Sequence, residues 1–110
     1  MMLVEDDAMM VRLVTRMLEG EAVAVTEGGC NAAALMIPAL WEQVDVALVD
    51  LVLQRSNGCD LLHWLALHAP HVRRIAMSGL RAVRHDERVE ADVRLLKPFM
   101  MDDLLAALRP

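Results

Sequence analysis

The chain has 110 residues, 56% of them hydrophobic and 3% aromatic, with a net charge of −5 and a pI near 5.2. That length suits one domain with its own core, and the acidity speaks against direct nucleic-acid binding, where phosphate affinity comes from Lys and Arg. Cys30 and Cys59 stand apart, no basic stretch of a signal peptide opens the chain, and the uncharged run at residues 30–41 is too short to span a bilayer, so a reduced, cytoplasmic setting without membrane contact is expected.

Residues 1–4 (MMLV) read as a short strand. A helix follows over 8–19, in which Met10, Val14, Met17 and Leu18 recur at helical spacing while Arg12, Arg16 and Glu19 fall elsewhere. Gly20 ends it. The β-branched stretch AVAVT (22–26) is a second strand closed by EGG. An Ala-rich helix is expected over 30–41, with Pro38 as a kink or early stop. VDVALVD (44–50) is the clearest buried strand, LQRSNG (53–58) is a loop, and 59–69 is a helix that Pro70 stops. RRIAMS (73–78) is a strand, 80 to about 90 a weak helix, and VRLLK (93–97) a last strand broken by Pro98. The final helix, 101–108, opens on Asp102 and Asp103, which suit a helix N-terminus. This alternation predicts an α/β, three-layer doubly wound (βα)5 fold with a parallel sheet in the flavodoxin-like order 2-1-3-4-5. Residues 1–110 read as a single domain with no output domain attached.

In such sheets, ligands bind outside the carboxyl ends of the strands. The first strand delivers Glu5, Asp6 and Asp7, the third Asp50, the fourth Ser78 and the fifth Lys97. Each has an ordinary reading alone: acids after a strand cap helices, and a lone Asp or Ser-Gly makes a turn. Their joint arrival on one rim points to an oxygen-lined site for a hard cation beside a lysine and a hydroxyl. Mg²⁺ fits, being held by one or two carboxylates plus waters and phosphate oxygens, and it relieves the repulsion among clustered acids.

The ordered set LVEDD, VALVDLVL…NGCDLL, AMSG and LLKPF resembles the receiver domain of two-component response regulators over essentially the whole chain. The resemblance implies a signalling domain that catalyses its own phosphorylation and dephosphorylation. Asp50 would be the phosphoacceptor. Asp6 and Asp50 would bind Mg²⁺ directly, Glu5 through water, and the backbone carbonyl of Val52 would be a further ligand. Ser78 would take the switch Ser/Thr position, and Lys97 the lysine that pairs with a phosphoryl oxygen. The partner would be a phosphohistidine on a histidine kinase or histidine phosphotransfer protein, docking on the helix after the first strand, around residues 9–17. Two other readings stand beside this one. A binding module could keep the fold and never be phosphorylated. A Mg²⁺-dependent phosphohydrolase with an Asp nucleophile wants a second Asp where Val52 stands.

The chain also departs from the family pattern. Gln54 replaces a proline four residues after Asp50, and EADV stands where Gly-Ala usually precedes the last strand. Arg94 occupies the switch-aromatic position. A long charged side chain does not toggle into a core, so switching by another rearrangement is expected. Val52 and Leu80 are apolar where the family is often polar, and are expected to hinder the attacking water and lengthen the phosphoaspartate lifetime. Arg81, Arg84 and Arg88 share a helix face, read as a solvated face or as a dock for an acidic partner. His63, His68, His71 and His85 lack a metal spacing. Cys30 and Cys59 read as buried small hydrophobes, and Trp64 as core or an interface anchor.

Overall fold

Strand side chains alternate between the two faces of a sheet, and here both sets are apolar, so both faces require cover. A computed structural model describes residues 1–21, 25–27, 31–53, 56–79 and 89–109. Its elements are β1 (Met2–Val4), α1 (Ala8–Met17), β2 (Thr26–Glu27), β3 (Val46–Asp50), α2 (Gly58–His68), β4 (Arg73–Ser78), β5 (Val93–Leu96) and α3 (Met101–Leu108). The strands form one sheet in the order β2-β1-β3-β4-β5, and every pairing is parallel. The α/β class and the strand order expected from the sequence are therefore both present.

Leu3, Leu48, Ile75, Met77 and Leu95 pack on one face, against Val14 and Leu18 from the first helical segment and Leu104 and Ala107 of α3. Met2, Val4, Ala47, Val49 and Ala76 pack on the other, against Leu61, Leu62 and Leu65 of α2 and the buried Trp41. Those are the three layers. Their continuous apolar runs are the pattern of strands covered on both sides.

The expected helix over 30–41 is not formed; Cys30 itself lies outside the described residues. In its place stand two short 3₁₀ turns, Ala33–Leu35 and Pro38–Trp41. Pro38 explains the break. Its ring drives the preceding Ile37 into extended backbone (φ −128°, ψ 114°), and it has no N–H to continue a helical ladder. The two turns are joined by Trp41, which is fully buried and whose indole N–H donates to the Leu35 carbonyl at 2.7 Å.

The second strand reaches one residue further than expected, because β1 pairs Met2 with Thr26 and Leu3 with Glu27; residues 22–24 and 28–30 lie outside the described set. So do residues 80–88, on which most of the weak fourth helix, the arginine row, His85 and Leu80 fall; Val89 and Glu90 are irregular. The register of β5 is set where it begins. The Asp92 N–H donates to the Arg74 carbonyl, and the Asp92 carboxylate accepts the Arg74 N–H, both at 2.8 Å. Because β1, β3, β4 and β5 run parallel, their C-terminal ends share one rim.

Trp41 combines volume and a buried donor, so its substitutions separate the two. Trp41→Ala is expected to lower the unfolding free energy by about 3–5 kcal/mol through the cavity it leaves. Trp41→Phe fills most of that space but strips the Leu35 carbonyl of its donor, and is expected to cost about 1–2 kcal/mol. Urea denaturation of both variants measures the difference.

Candidate functional site

The three consecutive acids after β1 are sorted by the backbone. Glu5 is 5% exposed, and its Oε1 accepts the Asp7 N–H at 3.1 Å. Asp7 is exposed and caps α1, its Oδ1 accepting the Met9 N–H at 2.9 Å, so it starts the helix. Asp6 lies between them. One carboxylate oxygen from each of Glu5, Asp6 and Asp50 falls within 4.8 Å of the others. Among the described residues, this is the one group of three or more potential metal ligands.

Asp50 ends β3 and is 5% exposed. Its Oδ1 accepts the Val52 N–H at 2.9 Å, which fixes the carboxylate against its own loop. The next residues are held firmly: the Leu51 N–H donates to the Met77 carbonyl at 2.9 Å and the Gly58 N–H to the Leu51 carbonyl at 3.1 Å. Gly58, at the start of α2, presses on the same backbone. A Cβ there would sit 2.0 Å from the Asp50 carbonyl oxygen, so no larger residue fits without moving the strand end. Asn57 caps the helix through the Cys59 N–H at 2.8 Å.

Lys97 follows β5, its N–H donating to the Ser78 carbonyl at 2.8 Å. Its Nζ donates to Glu5 Oε2 at 2.8 Å and to Asp50 Oδ2 at 2.6 Å. One ammonium thus ties the ends of β1, β3 and β5 together. Ser78 is 1% exposed, and its Oγ has no hydrogen-bond partner among the described residues. A buried hydroxyl in that state is a donor and acceptor waiting for a polar group.

Burial dominates the protonation of Glu5 and raises its pKa above the usual carboxylate value of 4.5; the Lys97 hydrogen bond opposes this, and the nearby Asp50 charge reinforces it. For Lys97, burial alone would pull the pKa down. The hydrogen bonds and charges of Asp50 and Glu5 outweigh it, so the pKa stands above 10.5 and the ammonium stays charged. Three carboxyl groups and one ammonium meet here, and the all-oxygen donor set of Glu5, Asp6 and Asp50 suits a hard divalent cation.

The structure therefore brings together Glu5, Asp6, Asp50 and Lys97, with Ser78 and Val52 adjoining them through β4 and the loop after β3. Lys97 differs in one respect from the expectation: it bridges Glu5 and Asp50 directly. By its sequence alone Gly58 is a turn residue. The Asn57-Gly58 pair marked the loop, but the need for glycine comes from a contact with Asp50 across the fold. Arg94 is exposed on β5. The described histidines are engaged elsewhere: His63 contacts Glu90, His68 stacks on Trp64 with ring centroids 4.8 Å apart, and His71 meets the Trp41 carbonyl. Cys59 and Trp64 pack, partly buried, against the core.

The family model for the response regulator receiver domain matches residues 1–109. The chain belongs to that family. The transcriptional regulatory protein CpxR of Klebsiella pneumoniae is 32% identical over 98% of this chain and 47% of its own length. TcrX of Mycobacterium tuberculosis, a probable transcriptional regulatory protein, is 25% identical over the same shares. The receiver domain thus spans about half the length of these curated relatives. Among solved structures, a CheY-like receiver domain protein of Methanospirillum hungatei superposes with a TM-score of 0.76 at 26% identity, covering 96% of this chain and 86% of that one. A Burkholderia pseudomallei response regulator, solved with a phosphorylated aspartic acid, calcium ion and citrate, superposes at 0.79 with 24% identity, covering 98% and 65%. This receiver domain is accordingly a two-component signalling domain, and among its described residues no helix is long and apolar enough to cross a membrane.

Two substitutions test the electrostatic account of the site. Ser78→Ala removes an unpartnered buried hydroxyl and is expected to raise the unfolding free energy by about 1 kcal/mol. Lys97→Met leaves Glu5 and Asp50 buried without a counter-charge and is expected to cost about 3 kcal/mol at neutral pH. A group with a raised native pKa stabilises the fold at low pH, and that stability fades as pH rises through the shifted value. Without Lys97, the Glu5 pKa rises further, so stability of the variant should fall more steeply than wild type as pH climbs above 4.5. Urea titrations across that range provide the comparison.

Proposed function

We propose that this receiver domain accepts a phosphoryl group on Asp50 from a phosphohistidine of a histidine kinase or histidine phosphotransfer protein. The observation that carries the reading is the Lys97 ammonium, 2.6 Å from the Asp50 carboxylate, with the Ser78 hydroxyl, unpartnered among the described residues, at the end of the adjoining strand. A carboxylate is a weak nucleophile, so the work of the site is positioning and charge neutralisation. An Asp50 oxygen forms the bond to phosphorus as the phosphorus–nitrogen bond of the donor imidazole breaks; the imidazole leaves with the electron pair. Lys97 takes one phosphoryl oxygen as an ion-pair partner, and the Ser78 Oγ–H donates to another. Hydrolysis of the resulting acyl phosphate by water returns the free carboxylate.

Asp6 and Asp50 would hold Mg²⁺ directly, with Glu5 acting through water and the Val52 carbonyl as a further ligand. The cation would supply neutralisation of the phosphoryl charge. The acidic trio and the calcium ion in the Burkholderia relative support a divalent ion at this place. In a response regulator the reaction belongs to the cytoplasm, where the donor proteins work.

Intact-mass measurement after incubation with Mg²⁺ and a small phosphodonor tests the reading. Wild type should gain the mass of one phosphoryl group, and Asp50→Asn none. A wild-type chain that never gains mass would sink the proposal.

A further inference from the structure

The loop between Asp50 and Gly58 carries Val52, whose side chain does little to hold it. Leu53 is buried in the core, but Val52 is 66% exposed, and no proline fixes a φ angle between residues 51 and 57. Backbone contacts do the holding. The Val52 N–H donates to Asp50 Oδ1 at 2.9 Å, and Asn57, the cap of α2, forms an antiparallel bridge back to Val52. That bridge makes Val52 and Asn57 two sides of one closed turn, so a residue next to Asn57 can steer Val52. Ser56 is placed to do so. It is half-buried, and its Oγ accepts the Ala32 N–H at 3.0 Å, from 24 positions away. Ala32 is 2% exposed and opens the Ala33–Leu35 turn, whose Leu35 carbonyl is held by the buried Trp41 indole. The next amide, Ala33 N–H, goes to Asn31 Oδ1 at 3.1 Å, a local acceptor. A serine before a helix ordinarily bonds to backbone within a few residues of itself; the bond to Ala32 crosses the fold.

We propose that Ser56 is a positioning residue for the cation site: by tying the loop to Ala32, it holds the Val52 carbonyl in place for Mg²⁺. The inference rests on the cation ligands of the proposed function and adds the residue that orients one of them. Mg²⁺ demands near-ideal octahedral geometry, so a backbone ligand on a loosely held loop would bind it poorly. Groups that orient a metal's ligands accordingly weigh on its affinity without touching the ion. Ser56 is suited to this because its partner does not yield. The Ala32 N–H belongs to a buried residue, and a buried amide that loses its acceptor costs free energy, which keeps the two segments together. The tether also works in reverse. A cation that fixes Val52 fixes the turn through Asn57 and Ser56, and so strengthens the bond to Ala32.

Titration of Mg²⁺ into the whole, unphosphorylated chain, followed by amide chemical shifts, tests the proposal. Ser56→Ala should raise the Mg²⁺ dissociation constant about tenfold, and Ser56→Thr, which keeps the acceptor oxygen, should stay within about twofold of wild type. A serine that only stabilised the fold would leave the Mg²⁺ affinity of the folded Ser56→Ala chain unchanged. Amide hydrogen exchange supplies a reading that needs no variant: in wild type, Mg²⁺ should slow exchange of the Ala32 N–H, and in Ser56→Ala that protection should vanish. Wild-type affinity in Ser56→Ala, an equal loss in Ser56→Thr, or an Ala32 N–H indifferent to Mg²⁺ overturns the proposal. A wild-type chain that takes up no Mg²⁺ overturns the cation reading and the tether together. Failure of the phosphoacceptor reading shows separately, as a wild-type chain that binds Mg²⁺ yet gains no phosphoryl mass.

Discussion

The ammonium of Lys97 holds the functional rim together. It reaches Glu5 and Asp50 at hydrogen-bond distance, and these three residues come from positions spread over most of the chain. Burying two carboxylates is costly unless each is paired and hydrogen-bonded. Here each has further support: Glu5 accepts a backbone N–H from Asp7, and Asp50 one from Val52. Lysine suits the task because a compact ammonium can serve several oxygens that are not arranged as a planar fork. In the proposed reading, the same charge that offsets the acids would also pair with an arriving phosphoryl oxygen.

Everything that aims Lys97 is a matter of strand register. Met77 pairs with Leu95 and Ser78 with Leu96, and Asp92 anchors the opposite end of β5 to Arg74. A slip of one residue would turn Leu95 out of the core and exchange the faces of the whole strand. The apolar packing of Leu95 with Met77, Phe99 and Leu104 opposes that slip. The core thus contributes to function through geometry. It holds the strand ends in place while the rim carries polar groups that would be unstable on an unbraced loop.

Packing on the other face works the same way. The start of α2 lies so close to the end of β3 that Gly58 leaves no room for a side chain. The Asn57 cap and the Leu51–Gly58 hydrogen bond close the loop beneath Asp50. The Val52 N–H holds one oxygen of the carboxylate and the Lys97 ammonium the other, so both the loop backbone and a side chain from β5 orient it. Ser78, buried and without a hydrogen-bond partner among the described residues, is the complementary case: a local cost that a ligand oxygen would relieve in the proposed reading.

The alternation of apolar runs with helical periodicity was enough to read the parallel α/β sheet from the sequence, because the faces of buried strands and helices are written in residue spacing; its order was a choice among the few topologies that right-handed crossovers allow. The candidate site was legible for the same reason: Glu5, Asp6, Asp50, Ser78 and Lys97 all stand at strand ends, and parallel strands share a rim. The Asp7 cap was legible too, since its carboxylate acts on a neighbour two residues away. Local spacing failed where distant contacts decide. Pro38 announced a break, but whether residues 30–41 bend or divide depended on Trp41 finding its cavity and its carbonyl. The requirement for Gly58 arises from a backbone approach between β3 and α2, and the pairing of Lys97 with Glu5 joins residues 92 positions apart. Sequence alone determined the five strands, the helices after the first, third and fifth of them, and the chemical inventory of the rim, since these depend on short-range order. Only the tertiary structure decided which charges touch and which polar group is left without a partner, because those follow from distances between chain segments that spacing along the chain does not encode.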